Sequence, residues 1–351
     1  MHKYPLSLPW YEDPPQCFFP YQILQAKAEL LWLLGRLMPA REIHERAVLF
    51  ADASGRPSLS GDSRIKLSKI LYSLGEVDTA LTLAEQAGEF FLQAGDRLNL
   101  TGADIVIGII HSGRGNYNAA LKHLNSGLQN AVETNDLFNQ GNIFNNLGNL
   151  YFYQGDLDKA LEYYIKMKDI SAEIDYKAGL GRALGNIASV YTRNGQYEEA
   201  LDYSKQSLAI ARELGDSIFI AQAVGNLGFI YTDLKKYDEA LSCFHRQLAE
   251  AGKTGNLKDQ AIALASIAEV HAALNNFTEA EKFYSLSIPI YRKLGRKYDL
   301  CGTLLDLAEV CLVLKDPGRA RELAVESLDM AREINKQDII EKAEIFLNKI
   351  D

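Results

Sequence analysis

The sequence predicts an all-α chain, an α-solenoid of eight helix-turn-helix units closed by a C-terminal capping helix. Three observations carry this. Alanine recurs every forty residues, at Ala40, Ala80, Ala120, Ala160, Ala200, Ala240, Ala280 and Ala320. Two stopping positions recur in the same register, one five residues before each alanine (Gly155) and one between copies (Gly215). Between the stops, apolar residues fall at helical spacing. A fixed period of this length marks stacked supersecondary units, and two stops per period give two helices per unit.

In the clearest copy the first helix is expected at about 137–154 and the second at about 157–174. The first carries an apolar stripe, Phe144, Leu147, Gly148 and Tyr151, which returns as Leu184, Ile187, Ala188, Tyr191 and as Val224, Leu227, Gly228, Tyr231. The second carries Leu157, Ala160, Leu161 and Tyr164. A small residue holds one slot of every first helix: Ala28, Ser68, Gly108, Gly148, Ala188, Gly228, Ala268, Ala308. That slot and the periodic alanine imply helix crossings too close for a large side chain. No unit buries both stripes alone, so stability is cooperative along the stack.

Three segments follow. Residues 1–21 carry five prolines and cannot be helical throughout. They also carry Trp10, Tyr11, Phe18, Phe19 and Tyr21, more aromatics than a solvated tail holds. The segment is therefore expected either to cover the first repeat as an apolar lid or to fill a groove, its own or that of a second copy. Residues 22–336 form the eight units. Residues 337–351 keep the register, with Phe346 and Leu347 at first-helix core positions. Asn348 takes the small slot, as suits a final helix with nothing packed beyond it.

The stretch Asn146-Leu-Gly-Asn-Leu-Tyr151 followed by Gly155-Asp-Leu-Asp-Lys-Ala160-Leu161 resembles a tetratricopeptide repeat. So do Asn186-Ile-Ala-Ser-Val-Tyr191 with Gly195-Gln-Tyr-Glu-Glu-Ala200-Leu201, and Asn226-Leu-Gly-Phe-Ile-Tyr231 with Tyr237-Asp-Glu-Ala240-Leu241. The forty-residue period is similar to the long-helix subclass of the mitotic adaptor LGN, kinesin light chains and bacterial signalling proteins. The resemblance covers about residues 22–336. It is weaker at the ends, where Lys27 replaces an apolar residue and Pro317 an aromatic. It implies a right-handed superhelix whose concave face is lined by the first helices.

Composition narrows the function. The 351 residues are 47% hydrophobic and 24% charged, with a net charge of −9. This argues against general nucleic-acid binding, which needs a basic footprint. No run of eighteen apolar residues marks a membrane span, and the N-terminus lacks a signal peptide's apolar stretch. Cys17, Cys243, Cys301 and Cys311 show no pairing pattern, which suits free thiols in the cytoplasm. The sequence holds no His-Glu-x-x-His and no phosphate loop. Gly179-Leu-Gly-Arg-Ala-Leu-Gly185 lies inside a helix and reads as close helix packing. His111 and His271 fall in the slot held elsewhere by Tyr151, Tyr191 and Tyr231, so they are expected at the core edge. No catalytic residue, metal site or cofactor is expected, and the chain is not expected to be an enzyme.

By the family pattern, the groove-facing residues are Asn142, Asn145, Asn149 and Tyr153 in the fourth copy. They are Arg182, Gly185, Ser189 and Arg193 in the fifth, and Gln222, Gly225, Phe229 and Asp233 in the sixth. Asn146, Asn186 and Asn226 form a ladder beside them. An asparagine amide both donates and accepts, so the ladder suits the backbone of an extended peptide, or hydrogen bonding between helices. Arg182 and Arg193 suit an acidic side chain, and Tyr153 and Phe229 suit apolar anchors. Copies seven and eight present Ile262, Ala265, Glu269, Leu305 and Glu309, which points the basic or apolar end of a ligand toward the C-terminus. Gln222 and Asn226 stand where a chaperone-tail clamp carries cations, which argues against that variant. The function expected is a non-catalytic adaptor binding an extended peptide of a protein partner. The alternatives are a regulatory subunit or sensor for a separate effector, and self-assembly through residues 1–21.

Overall fold

The computed structural model describes residues 14–33, 36–334 and 336–350. Among the described residues it contains seventeen α-helices and no strand. They are α1 (Pro14–Leu33), α2 (Leu37–Ala53), α3 (Pro57–Ser73), α4 (Val77–Ala94), α5 (Arg97–Gly113), α6 (Tyr117–Glu133), α7 (Leu137–Gln154) and α8 (Leu157–Glu173). They continue as α9 (Lys177–Arg193), α10 (Tyr197–Leu214), α11 (Ser217–Asp233), α12 (Tyr237–Thr254), α13 (Leu257–Ala273), α14 (Phe277–Lys293), α15 (Lys297–Val313), α16 (Pro317–Glu333) and α17 (Gln337–Ile350). The chain is an α-solenoid of eight helix pairs and a closing helix. It divides into two compact units at Ile174/Asp175, α1–α8 and α9–α17. Within each, a helix packs chiefly on its partner in the pair and then on the next helix in line.

The recurring stops have a backbone cause. Each described stop turns through the left-handed region, at φ 82° for Gly155 and 66° for Gly215, where glycine carries no Cβ penalty. Lys235, Asn275 and Lys315 hold the same conformation at φ 57°, 60° and 65°, so the turn is kept even where the residue resists it. The next helix starts two residues on. Asp96, Asp136, Asp156 and Asp316 accept the backbone N–H of Asn99, Asn139, Lys159 and Arg319 and cap its open first turn.

The periodic alanines Ala40 to Ala320 are all fully buried. The small slot is the hole into which the second helix of the pair places a side chain sixteen residues on. Gly108 faces Leu124, Gly148 faces Tyr164 and Gly228 faces Phe244, each too close for a Cβ to stand between them. Ser68 fills its slot differently, donating its hydroxyl to the Ala80 carbonyl at 2.6 Å. Rings also stack across the pair: Tyr151 on Tyr163, Tyr191 on Tyr203, His111 on His123 and His271 on Phe283.

Helix α1 starts at Pro14, so it takes in residues that the sequence reading set apart with 1–21. Proline is tolerated in a first helical turn, where the N–H it lacks has no partner. Trp10 and Tyr11 lie outside the described residues. Tyr21 is buried in its own repeats, stacked on Phe50, 2.7 Å from Ser63 Oγ and donating to Asp62 at 3.1 Å. At the other end α17 buries Ile339, Ala343 and Phe346 and leaves Asn348 exposed.

Candidate functional site

The twelve residues singled out from the register fall on first helices of two units. Asn142, Asn145, Asn149 and Tyr153 stand on α7 in the first unit. Arg182, Asn186, Ser189 and Arg193 stand on α9, and Gln222, Asn226, Phe229 and Asp233 on α11, in the second. Tyr153 is 71% exposed and Phe229 40%, and Arg182, Arg193, Gln222 and Asp233 are exposed. Phe229 is seated edge-on against Phe244 at 5.2 Å, which presents its outer face in a fixed orientation.

Several polar members are already engaged. Asn146 donates to the Asn142 carbonyl one turn back at 2.8 Å, and Ser189 to the Gly185 carbonyl at 3.1 Å. Asn149 accepts from the Tyr164 hydroxyl at 2.8 Å. Arg182 donates to the Tyr176 hydroxyl at 2.5 Å and lies over that ring. Asn145, Asn186 and Arg193 each interact with a neighbouring group as well.

One register row differs from the expectation. Gly185, Gly225 and Leu305 are buried. A Cβ on Gly185 would meet Ser207 Oγ at 3.3 Å, and one on Gly225 would meet Gln247 Nε2 at 2.7 Å. This row faces the second helix of its own pair, so its glycines admit that helix and do not line an open face.

In the second unit, the first helices α9, α11, α13 and α15 lie against one another in order. Along them the chemistry changes sign. Arg182 and Arg193 on α9 give way to Asp233 on α11, Glu269 on α13, and Asp306 and Glu309 on α15. Burial pushes the Asp233 carboxyl up, and burial with Asp233 beside it does the same to Glu269. Asp306 is pushed furthest, to about 7, first by burial and then by Glu269 and Glu309, against the opposing charge of Lys342. Asp306 stands at the cavity among the helices of the second unit, and its surface stays exposed to solvent. These carboxylates edge a cavity of about 310 Å³ between α13, α14 and α15, with Phe277, Val310 and the buried Tyr284 in its walls.

Asp306 was not singled out from the sequence, yet its register is that of the asparagine ladder: Asn146, Asn186, Asn226, Ser266, Asp306. The signal was there as an acid replacing an amide in a half-buried row. A second grouping was also missed. In the first unit Asp104, buried on α5, takes His123 Nδ1 at 2.8 Å and the Ser126 hydroxyl at 2.8 Å, and His111 stacks on His123. Its carboxylate stands between the imidazole and the hydroxyl, so the three tie α5 to α6 and do not form a nucleophile–base relay. Among the described residues no group of three His, Cys, Asp or Glu is placed to hold a metal ion. No described helix is long and apolar enough to cross a membrane.

A comparison with curated protein sequences finds no match. Solved structures of the same architecture do match. One is a signal-transduction ATPase with numerous domains from Pyrococcus horikoshii that carries a tetratricopeptide repeat sensor, at 17% identity and a TM-score of 0.61 over 93% of this chain and 50% of that one. This chain thus spans about half the length of that ATPase. The apo quorum sensor NprR from B. thuringiensis matches at 15% identity and a TM-score of 0.64, over 88% and 87% of the two chains. The Rap conjugation gene regulator of plasmid pLS20, solved in complex with the Phr* peptide, matches at 16% identity and 0.63, over 80% and 76%. The family profile described as Tetratricopeptide repeat matches residues 139–213, 219–293 and 259–333. Those spans take up more than half of the sequence and carry the same helix pairs, stops and small slots. The chain belongs to the tetratricopeptide repeat family.

Proposed function

We propose that this chain is a non-catalytic adaptor, and that the first-helix face of its second unit binds an extended peptide segment of a protein partner. The observation that carries the reading is Phe229. It is an exposed aromatic fixed edge-on by Phe244, in a row whose neighbours on α9 and α11 are the exposed Arg182, Arg193 and Asp233. A rigid aromatic flanked by charges is the composition of a binding hot spot. A neighbour of the same fold, the Rap regulator, was solved with a peptide, which supports the same use here. Within the first unit, the exposed Tyr153 and the half-buried Asn142, Asn145 and Asn149 on α7 carry the same reading by themselves. Titratable groups placed in packing roles, such as His44, His111 and His271, favour a binding module over an enzyme. The acidic row from Asp233 to Glu309 and the net charge of −9 disfavour nucleic acid as the partner. Three free thiols, Cys243, Cys301 and Cys311, fit a cytoplasmic setting.

A second reading has its own support. In the P. horikoshii ATPase the repeats are the sensor part of a larger protein. By analogy this chain regulates a separate effector when its peptide binds. Tyr21 turned into its own repeats favours the lid over self-assembly for that residue.

The test is affinity capture from the source cells with mass spectrometry, wild type beside Arg182→Ala/Arg193→Ala/Phe229→Ala, with unfolding midpoints matched. A protein captured by wild type and lost by the variant supports the adaptor, and its identity separates adaptor from regulator. Equal capture by both contradicts the assignment of the binding face.

A further inference from the structure

The wall between α13, α14 and α15 combines three carboxylates, apolar walls and a buried tyrosine whose hydroxyl opens on the cavity without a hydrogen bond to the protein. Glu269, Asp306 and Glu309 edge the cavity of about 310 Å³, a size at the lower end of ligand clefts. Among the described residues none of the three pairs with a lysine or arginine, whereas carboxylates elsewhere in the same unit do, as in Glu213 with Lys177 and Glu326 with Arg292.

Tyr284 supplies the independent observation. It is 3% exposed, lines the cavity, and makes no hydrogen bond through its hydroxyl among the described residues. Its register counterpart Tyr164 is satisfied by Asn149 at 2.8 Å. At Tyr284 the equivalent position is Glu269, and the hydroxyl is left facing the carboxylates. The hydroxyl is left free for a donor or acceptor in the cavity, and neighbouring carboxylates without an ion-pair partner are costly to ionise together.

We propose that this cavity is the seat of a basic side chain, a lysine or arginine of the bound peptide, with its aliphatic stem on Phe277 and Val310 and its cation among Glu269, Asp306 and Glu309. A cation answers every unusual feature at once. It donates to the Tyr284 oxygen, neutralises the acidic edge, and covers apolar wall with its methylenes. The chemistry excludes an acidic or a purely aliphatic side chain as the preferred occupant. The inference rests on the peptide-binding reading and names the residue class at the C-terminal end of the face. It also makes occupancy dependent on pH. Asp306 faces Glu309 from its own helix, Glu269 from α13, Tyr284 from α14 and Lys342 from α17. Raising the pH through the neutral range ionises its carboxyl and strengthens the seat.

The test uses the full chain with ¹³C-labelled tyrosine, the Tyr284 ring signal being assigned with Tyr284→Phe. The probes are Nα-acetyl-lysine methylamide, the arginine and norleucine analogues, and spermidine. The expected result is a saturable shift of the Tyr284 signal with the lysine or arginine probe and none with norleucine. Binding should weaken roughly tenfold or more in Asp306→Asn/Glu309→Gln, and several-fold from about pH 8 to about pH 6 in wild type but not in that variant. Equal response to norleucine, no response to either basic probe, response to spermidine alone, or full binding by the double variant would each overturn the proposal. If it fails while Arg182→Ala/Arg193→Ala/Phe229→Ala still loses its captured partner, the peptide-binding reading stands and only the basic seat is wrong.

Discussion

The Cβ that Gly148 lacks would stand 2.5 Å from Cε1 of Tyr164. That distance explains why the slot at this crossing is glycine, as it is opposite Leu124 and Phe244. Alanine takes the slot opposite the small Ser204 and Ala324, and also at Ala28 and Ala268, which stand opposite His44 and Tyr284. Gly148→Ala therefore presses a methyl into a stiff ring. Overpacking costs about 1–3 kcal/mol, and alanine's better helix propensity returns about 1 kcal/mol. The expected net loss is up to about 2 kcal/mol by urea unfolding. In a Tyr164→Ser background, which copies the natural Ala188–Ser204 pair, the same change should become stabilising. A loss of equal size in both backgrounds contradicts the pairing.

Ala160→Leu and Ala200→Leu test the periodic alanines. Both positions are fully buried, so each substitution should cost on the order of 1–3 kcal/mol. Unchanged thermal midpoints in both variants would refute the packing assignment.

Lys235→Gly and Lys315→Gly should stabilise the chain. A left-handed residue with a Cβ carries about 1–2 kcal/mol of strain, while glycine adds about 0.4–1 kcal/mol of unfolded-state entropy. The gain expected from each change is therefore up to about 1.6 kcal/mol in the unfolding free energy. A loss in both variants would mean that lysine contacts outweigh the backbone strain.

His44 carries a pH dependence. It is 1% exposed, opposite the small slot at Ala28, and its Nδ1 has no hydrogen-bond partner. Burial, then the nearby Lys66, lowers it from 6.5 to about 4, against the weaker opposite pull of Glu29 and Asp62. The unfolded chain therefore takes up the proton first on acidification. Its contribution to stability is present above about pH 6.5 and is lost as the pH falls toward 4, by an amount on the order of 3 kcal/mol. Urea unfolding at about pH 7 and about pH 5 should show a drop in wild type that His44→Leu reduces. The same drop in both proteins would remove His44 as the cause.

Most of the fold was legible because the repeat is written in small residues. Ala160, Gly148 and Gly155 each mark a place where backbone approach or backbone conformation admits little else, so their period gives helix, crossing and stop together. The start of α1 at Pro14 was less legible, because five prolines within the first 21 residues mask a helix that two of them open. The candidate face was legible as register only. Position alone does not separate Phe229, which is exposed, from Gly225, which is buried; that depends on Gln247 of α12, whose Nε2 would stand 2.7 Å from a Cβ at residue 225. The cavity at Tyr284 depends on three helices at once. Its one sequence trace is Asp306 in the asparagine row.

The most direct test of the account compares two faces of the second unit. A peptide selected by display on the immobilised full chain is titrated, by fluorescence anisotropy, against two variants. One is Arg182→Ala/Arg193→Ala/Phe229→Ala on the first helices, and the other is Lys205→Ala/Arg246→Ala on the exposed side of the second helices α10 and α12. Affinity is expected to fall roughly tenfold or more for the first variant and to change little for the second. Loss confined to the second variant would contradict it.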